Sequence, residues 1–267
     1  MDANAASLVY FSPTHTTRTV LEGIAAGLQP AALERIDLTP PEARRRPVAP
    51  TQHRLALIGA PVYAGRIPAE MRARFLRLKG EGALAVVVVV YGNRAYEDAL
   101  LELRDLAIEA GFRPIAAGAF IGEHSYSQAA MPIAVGRPDA ADVAKAQAFG
   151  RQLRARVQGL TEAGAASPIH VPGNFPYKDG SNLADVCPDR DVALCTGCGE
   201  CIPACPTGAI TMRESAQTDA ALCIRCCACV RACPAGALDL GDARIMQFRQ
   251  YLTTNCRDRR EPETYLE

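Results

Sequence analysis

Apolar runs alternate with helical patterns over the first 160 residues. Five short runs rich in valine, leucine, isoleucine or alanine predict strands at 7–11, 33–38, 55–59, 84–91 and 115–120. The run 84–91 holds five consecutive valines, and a run without polar alternation indicates a strand buried on both faces of a parallel sheet. Apolar residues three and four positions apart predict helices at 20–28, 71–78, 99–110 and 139–157. Strands that alternate with helices are typical of a doubly wound α/β domain.

Length, charge and hydropathy narrow the class of protein. A chain of 267 residues, 49% of them hydrophobic, fits one large or two ordinary domains. Its 29 basic and 29 acidic residues balance, so we expect no nucleic-acid partner. The start, Met1-Asp2-Ala3-Asn4, lacks the positive region of a secretion signal, and the run 84–90 is too short to span a membrane. We therefore expect a cytoplasmic protein without a membrane span.

A turn rich in hydroxyl groups follows the first predicted strand. Ser12-Pro13-Thr14-His15-Thr16-Thr17 leads directly into a helix, whose first N–H groups and dipole favour an anion. An ordinary helix cap needs one hydroxyl, and this turn has four. The turn lacks the lysine of a P-loop and the glycines of a dinucleotide fingerprint. We therefore expect it to bind a phosphate that belongs to neither a nucleoside triphosphate nor NAD.

Tyrosines follow two other predicted strands, where open α/β sheets bind their ligands. Tyr63 lies in the segment 61–66, and Tyr91 and Tyr96 lie in 91–96. These positions suit a flat ring and ordinary packing about equally. The polar segment 122–126 follows a further strand.

All eleven cysteines lie beyond residue 186, and eight of them form two matching runs. The run Cys195-x2-Cys198-x2-Cys201-x3-Cys205-Pro206 recurs 28 residues later as Cys223-x2-Cys226-x2-Cys229-x3-Cys233-Pro234. The match extends to Gly208-Ala209-Ile210 and Gly236-Ala237-Leu238. This is the cysteine spacing of bacterial proteins with two [4Fe–4S] clusters.

The spacing also predicts which cysteines share a cluster. Three cysteines separated by two residues wrap one face of a cluster, and the chain has no room to turn back within three more residues. We therefore expect Cys205 and Cys233 to cross between the two sites. The predicted ligand sets are Cys195, Cys198, Cys201 and Cys233 for one cluster, and Cys223, Cys226, Cys229 and Cys205 for the other.

Zinc and disulfides are the alternatives for these cysteines. Structural zinc usually takes two separated pairs of ligands rather than four cysteines within eleven residues, and nothing in the sequence indicates the oxidising compartment that disulfides need. Cys187, Cys227 and Cys256 stand outside the two runs. They are interpreted as packing residues or bystanders. The less favoured alternative is that Cys227, beside Cys226, is a substitute ligand.

Nearly the whole chain resembles ferredoxin proteins that carry an N-terminal flavodoxin-like domain. The turn 12–17 is similar to the flavodoxin phosphate loop, Ser/Thr-x-Thr-Gly-x-Thr, with His15 where flavodoxins usually have Gly. The segments at Tyr63 and Tyr91 match the two flavodoxin loops that hold the flavin ring, and Pro172-Gly173-Asn174-Phe175-Pro176-Tyr177 precedes the cysteine runs as in that family. An imidazole at position 15 either crowds the phosphate or donates to it.

The resemblance implies a fold and a set of cofactors. The fold is a flavodoxin-like doubly wound parallel sheet of five strands, followed by a small α+β bacterial two-[4Fe–4S] ferredoxin domain. The expected parts are a flavodoxin-like FMN-binding domain at 1–160, a linker at 161–184, the ferredoxin domain at 185–245 and a tail at 246–267. The residues implied in FMN binding are Ser12, Thr14, His15, Thr16, Thr17, Pro61, Val62, Tyr63, Ala64, Gly65, Tyr91, Gly92, Asn93, Arg94 and Tyr96.

Electron transfer between two [4Fe–4S] clusters and FMN is the function that this combination predicts. Clusters pass single electrons and a flavin exchanges one or two, so we expect a redox partner protein that gives or takes one electron. The alternative is a flavin-dependent reductase of a small molecule, in which Glu123, His124, Tyr126 and Arg94 either supply a proton and orient the substrate or are merely polar loop residues. A third hypothesis, a redox-sensing module, has no DNA-binding pattern to support it.

Overall fold

A computed structural model describes residues 5–47, 49–159, 169–180, 183–213 and 215–266. The first four residues, on which the expectation about secretion depends, lie outside the described residues. So do 161–168 and 181–182 of the predicted linker.

Twelve strands are assigned within the described residues. They are β1 Ala5–Tyr10, β2 Ala32–Asp37, β3 Ala49–Pro50, β4 Leu55–Pro61, β5 Leu78–Lys79, β6 Leu84–Tyr91, β7 Arg113–Ile121, β8 Asp189–Arg190, β9 Ile210–Met212, β10 Ala216–Thr218, β11 Leu238–Asp239 and β12 Glu263–Leu266. The helices of the same part of the chain are α1 Thr16–Leu28, α2 Ala69–Phe75, α3 Ala99–Glu109, α4 Ala140–Gly159, α5 Cys201–Ala204, α6 Ala228–Ala232 and α7 Ala243–Asn255, with a 3₁₀ turn at Pro41–Arg45.

The main sheet has the order β12-β7-β6-β4-β1-β2. Its five strands from β2 to β7 pair in parallel, in the order that flavodoxin-like doubly wound sheets share. The predicted fold class is therefore confirmed. The sixth strand, β12, pairs antiparallel with β7 and was not predicted.

Helices cover both faces of this sheet. Helices α1 and α4 cover one face and enclose the core built on Leu8, Val86 and Val88. They approach closely because Gly27 and Gly150 meet at their crossing, where a Cβ on Gly150 would lie 2.1 Å from the Ile24 carbonyl oxygen. Helices α2 and α3 cover the opposite face, where Val87 and Val89 are buried. The sheet is thus buried on both sides, as the run of valines predicts.

The cysteine-rich part folds as a small α+β unit, which confirms that part of the predicted fold. Strand β8 pairs with β11, and β9 pairs with β10, both antiparallel. The short helices α5 and α6 each begin at or just before the third cysteine of a run. The two halves of the sequence repeat therefore form two similar structural halves.

Two further segments join these parts together. Residues 169–180 run along α3, where Ile169 and Val171 are buried and the Asn174 and Lys178 backbone N–H groups donate to Asp98. The tail forms α7 and then β12 on the edge of the main sheet. Among the described residues, no helix combines the length and the apolar character that a membrane crossing requires.

Candidate functional site

Four cysteines from both runs line one open cavity in the small α+β unit. They are Cys195, Cys198, Cys201 and Cys233, the first set that the spacing groups together. The cavity measures about 340 Å³ with the solvent at its mouth included, and Leu238 and Met212 contribute to its mainly apolar wall. Cys198 is exposed, whereas Cys201 is buried. We call these four residues the outer thiol set.

The other four cysteines gather closer to the main sheet. Cys205 and Cys229 lie in one buried cluster, and burial first, then neighbouring thiols that include Cys205, raise the pKa of Cys223, Cys226 and Cys229. Burial is the largest cause, and it raises the pKa of Cys229 to about 12. Removal of these protons from buried thiols needs a positive centre that binds the thiolates, as iron does. We call these four residues the inner thiol set.

The backbone of the two cysteine runs repeats as well as the sequence does. Gly197 and Gly199 have φ of 72° and 81°, and the residues 28 positions later, Arg225 and Cys227, have φ of 57°. Cys227 therefore occupies the position equivalent to Gly199, outside the two ligand sets. Its side chain is buried in a small apolar cluster with Val186, Leu240 and Ile245. The structure places this spare cysteine in packing rather than among the ligands of either thiol set.

The hydroxyl-rich turn forms the N-terminus of α1 at the carboxyl edge of the sheet. Ser12 Oγ accepts a hydrogen bond from the Arg18 backbone N–H at 3.0 Å, and the Thr39 hydroxyl accepts one from the Ser12 backbone N–H. Among the described residues, the backbone N–H groups of Thr14, Thr16 and Thr17 have no protein acceptor. Within the same part of the chain, the buried Thr17 hydroxyl has no hydrogen-bond partner. This end of the helix can thus donate several hydrogen bonds to an anion.

His15 adopts the left-handed conformation that a glycine would take more easily. Its φ is 66°, and it is the residue that precedes the first turn of α1. Histidine is one of the few residue types enriched in this region of φ and ψ. Its side chain is exposed, so the backbone of the loop keeps its shape without a glycine.

The segment after β4 brings a tyrosine to the inner thiol set. Ala64 and Gly65 form a tight turn with positive φ, closed by two hydrogen bonds between the Tyr63 and Arg66 backbones at 2.9 and 3.1 Å. Pro61 ends β4, and the Val62 backbone N–H donates to the Val90 carbonyl. Burial raises the pKa of Tyr63 well above its usual value, and the neighbouring Cys226 and Cys227 thiols raise it further. The loop after β4 therefore lies close enough to Cys226 and Cys227 for these thiols to act on the pKa of Tyr63.

The segment after β6 is occupied by contacts with the tail. The Tyr91 and Tyr96 rings pack with their centroids 5.5 Å apart, and the Tyr96 hydroxyl donates to Glu263 and contacts the Tyr265 hydroxyl. The Asn93 side-chain amide donates to the carbonyls of residues 256 and 258 at 2.8 and 2.9 Å. The sequence does not reveal these partners because they lie more than 160 positions away.

The remaining members of this segment stay close to the neighbouring loops. Arg94 pairs with Glu97, and a Cβ on Gly92 would lie 2.3 Å from the His124 ring. A Cβ on Gly65 would collide with Glu97. The loops after β4, β6 and β7 are therefore in contact with one another at one edge of the sheet.

The segment 122–126 carries a neutral histidine. The Tyr126 backbone N–H donates to His124 Nδ1 at 3.0 Å, so the ring proton resides on Nε2. Burial, followed by Arg94, Arg231 and Arg249, lowers the pKa of His124 to about 4. Its ring packs edge-on against Tyr126 and Phe248.

Three contacts fix the small α+β unit against the main sheet. Arg74, which is 1% exposed, donates to the Pro206 carbonyl at 2.5 Å, next to Cys205. Arg231 of α6 donates to the His124 carbonyl at 3.1 Å and pairs with Glu123. Ile224, between Cys223 and Cys226, packs against the core on the α2–α3 side of the sheet. Sequence reasoning missed Arg74 because an arginine on a short helix usually lies in solvent.

Comparison with known proteins identifies the cysteine-rich part. Residues 194–237 match the family model described as 4Fe-4S dicluster domain, which spans both cysteine runs. The predicted combination of a flavodoxin-like sheet with an iron–sulfur ferredoxin segment is therefore confirmed. A search among curated proteins found no match.

Several solved structures are similar to the first part of the chain. The flavodiiron core of Flv1 from Synechocystis sp. PCC6803 is 16% identical over 59% of this chain and 36% of that chain, with a TM-score of 0.42. A flavodoxin from the domain Archaea is 13% identical over 58% of this chain and 99% of that chain, with a TM-score of 0.38. Rubredoxin oxygen:oxidoreductase from Desulfovibrio gigas is 12% identical over 61% and 37%, with a TM-score of 0.41.

This chain spans little more than a third of the Synechocystis and Desulfovibrio chains. Identities and TM-scores this low carry no function from those proteins to this one.

Proposed function

We propose that this protein is an iron–sulfur flavoprotein that passes electrons between two [4Fe–4S] clusters and FMN. The observation that carries the proposal is the junction at the carboxyl edge of the main sheet, where Arg231 of α6 donates to the His124 carbonyl and Ile224, between Cys223 and Cys226, packs against the sheet core. The carboxyl edge of the main sheet, where open α/β sheets bind their ligands, therefore lies next to the cysteine-rich unit. Such proximity is what electron transfer between two cofactors requires.

The two thiol sets suit cubane clusters. Each set supplies four soft sulfur ligands, the donor number and type that a [4Fe–4S] cluster takes, and the outer four line one cavity. The outer set, Cys195, Cys198, Cys201 and Cys233, would hold one cluster. The inner set, Cys205, Cys223, Cys226 and Cys229, would hold the other.

The hydroxyl-rich turn suits the phosphate of FMN. The buried, unpartnered Thr17 hydroxyl and the free N–H groups of Thr14, Thr16 and Thr17, taken among the described residues, are donors without acceptors. A buried donor without a partner costs about 1–3 kcal/mol, and a phosphate would remove that cost. We assign the flavin ring to the space beside the loops 61–65 and 91–94, which include Tyr63 and Tyr91.

The two thiol sets differ in solvent exposure, and this difference indicates where a partner protein would dock. When bound, the clusters pass single electrons and the flavin exchanges one or two. Cys198 of the outer set is exposed, whereas Cys205, Cys226 and Cys229 of the inner set are buried. A partner protein that gives or takes one electron would therefore meet the chain at the outer set, and Tyr63 and its neighbours would exclude water between the inner set and the flavin.

Anaerobic purification followed by iron, sulfide and flavin analysis tests this function. We expect about eight irons per chain, from two four-iron clusters, and FMN in about equal amount to the protein. A chain with two or fewer irons, or with zinc in their place, would contradict the assignment of the thiol sets. A protein that contains about eight irons but no flavin would contradict only the proposed FMN site.

Reduction of a small molecule at the flavin is a second candidate, favoured by His124. Its imidazole is neutral at pH 7, holds its proton on Nε2 and lies beside Gly92, so it can donate a hydrogen bond near the proposed ring. A His124→Gln variant separates the two functions. Loss of substrate turnover with an unchanged rate of electron exchange with a one-electron donor would favour the reductase, and a parallel change in both would favour the carrier.

A further inference from the structure

The sulfur of Cys205 has two hydrogen-bonding neighbours in its own run. The Ala209 backbone N–H donates to Cys205 Sγ at 3.3 Å, and the Thr207 hydroxyl oxygen lies 3.4 Å from the same sulfur. Both side chains are buried, Thr207 with 4% and Cys205 with 7% of its surface exposed. A thiolate has no proton to give, so when Cys205 binds iron the hydroxyl is the donor.

The second run reproduces the first of these contacts and lacks the second. The Ala237 backbone N–H donates to Cys233 Sγ at 3.3 Å, as Ala209 does to Cys205. The residue equivalent to Thr207, 28 positions later, is Ala235, which has no hydroxyl. The two crossing cysteines therefore differ by one hydrogen-bond donor.

Arg74 holds the backbone around Thr207 in place. Its guanidinium donates to the Pro206 carbonyl at 2.5 Å, and this carbonyl belongs to the peptide group that joins Pro206 to Thr207. The hydroxyl is thus presented to the sulfur by a backbone that a buried side chain fixes.

We propose that Thr207 is a positioning residue that raises the reduction potential of the cluster held by Cys205, through the hydrogen bond from its hydroxyl to the Cys205 sulfur. The proposal rests on the proposed function, since it requires a cluster on the inner thiol set. A reduced cluster places more negative charge on its sulfur ligands, so a hydrogen bond to sulfur stabilises the reduced form more than the oxidised form. The effect is strong where water is excluded, as it is at this buried pair. The hydroxyl therefore makes the inner set, next to the flavin site, a better electron acceptor.

Three variants test the proposal in the whole protein, by a redox titration that follows the spectroscopic signal of each cluster. Thr207→Val keeps the branched shape and removes the donor, so one midpoint potential should shift to a more negative value. Thr207→Ser keeps the donor, so both potentials should stay close to those of the unmodified protein. Ala235→Thr adds the missing donor beside Cys233, so the other midpoint potential should become more positive.

Each outcome decides the proposal. Unchanged potentials in Thr207→Val, or equal shifts in Thr207→Val and Thr207→Ser, would overturn it, because the hydroxyl would then not be the cause. If Thr207→Val loses its cluster, Ala235→Thr still decides, since an unshifted potential there would refute the effect of the hydroxyl on the sulfur. Iron analysis of the unmodified protein separates the two levels: absent clusters refute the proposed function, whereas unshifted potentials in a protein with full iron refute this inference alone.

Discussion

The Thr17 side chain indicates an anion-binding site at the N-terminus of α1. Its side chain is fully buried between α1 and β4, close enough to Gly59 that a Cβ there would lie 2.8 Å from the threonine methyl. The methyl group is packed, but the hydroxyl has no partner within the described residues. A residue that serves only the core would be valine, which has the same shape and no unsatisfied donor. The hydroxyl therefore indicates a ligand.

Thr17→Val should weaken FMN binding without loss of the fold. A hydrogen bond to a charged group contributes about 1.5–3 kcal/mol, so the Kd of the isolated flavin should rise about tenfold to hundredfold. The unfolding free energy of the flavin-free protein should stay the same or increase, because a buried unsatisfied hydroxyl has been removed. Flavin fluorescence titration and urea unfolding measure the two quantities.

Thr19→Val is the matched control for this substitution. Thr19 lies on the same helix, and its hydroxyl donates to the His15 carbonyl at 3.1 Å instead of remaining free. Flavin affinity should be unchanged in this variant. Equal weakening in both variants, or none in Thr17→Val, would remove the Thr17 hydroxyl from the phosphate site.

For His15 and the tyrosines, the residue type suggests a role in the site, but conformation and contacts appear only in the folded structure. The type at position 15 raises the question of crowding, but the answer lies in a positive φ and an exposed ring, which only the folded loop shows. Tyr91 ends β6 and Tyr96 follows it, at the edge where ring-binding residues lie, yet their rings pack against each other and the hydroxyl of Tyr96 contacts the tail. The sequence shows where a side chain lies along a strand, but it does not show which distant segment will contact that side chain.

The same distinction appears at the scale of elements. The central strands were predictable because strands buried on both faces must be apolar throughout, as 86–90 are. The crossing of Cys205 and Cys233 stays a prediction from the short chain after the third cysteine of each run, and the cavity that Cys233 shares with Cys195, Cys198 and Cys201 supports it. Strand β12 was not, since Glu263-Thr264-Tyr265-Leu266 has no continuous apolar pattern and owes its conformation to the free edge of β7.

Arg74→Met should destabilise the protein strongly, because α2 depends on this side chain. The two terminal nitrogens of the guanidinium donate to five acceptors, one of the four N–H groups being shared: Glu70 and the carbonyls of Leu38, Thr39, Pro40 and Pro206. Methionine would fill the volume but leave these acceptors without their donor. We expect a loss of about 3 kcal/mol or more in the free energy of unfolding, typical of a broken buried charge network.

Arg72→Met is the control for this change. Arg72 lies two residues earlier on α2, and its pair with Glu109 is exposed on both sides, so its loss should cost less than about 1 kcal/mol. Anaerobic urea unfolding followed by circular dichroism compares the two variants. Similar unfolding midpoints would show that the Arg74 contacts contribute little to stability.

Truncation after residue 260 should cause self-association. The deletion removes β12 and exposes the unpaired edge of β7 from Ala116 to Ala119, and a bare edge strand pairs readily with another copy. Light scattering during size-exclusion chromatography should show a mass that rises with concentration, relative to the full chain. Tyr265→Phe keeps β12 and removes one hydroxyl, so its mass should equal that of the full chain; a truncated protein with the same mass would show that β12 does not protect the edge.

In the molecule as a whole, the proposed cofactor sites extend from the solvent-exposed outer thiol set to the carboxyl edge of the main sheet. The outer thiol set is exposed at Cys198, three cysteines of the inner set are buried, and Arg231 and Ile224 hold the second cysteine run against the carboxyl edge and core of the main sheet. In the proposed assignment, each half of the ferredoxin segment donates its fourth cysteine to the site of the other half, so the two halves would depend on each other. Damage to one cysteine should therefore affect the site that is distant in sequence.

Cys205→Ser tests this exchange directly. Cys205 follows Cys201 by four positions, but it packs in one buried cluster with Cys229 and its thiol acts on the pKa of Cys223, Cys226 and Cys229. The variant should lose or convert the cluster of the inner set and retain that of the outer set, so iron should fall from about eight toward about four per chain. Cys198→Ser should affect the opposite cluster, and Cys187→Ser, outside both sets, should leave both intact. Electron paramagnetic resonance of the reduced variants distinguishes the two clusters, and loss of the same signal in Cys205→Ser and Cys198→Ser would show that the cysteines do not cross.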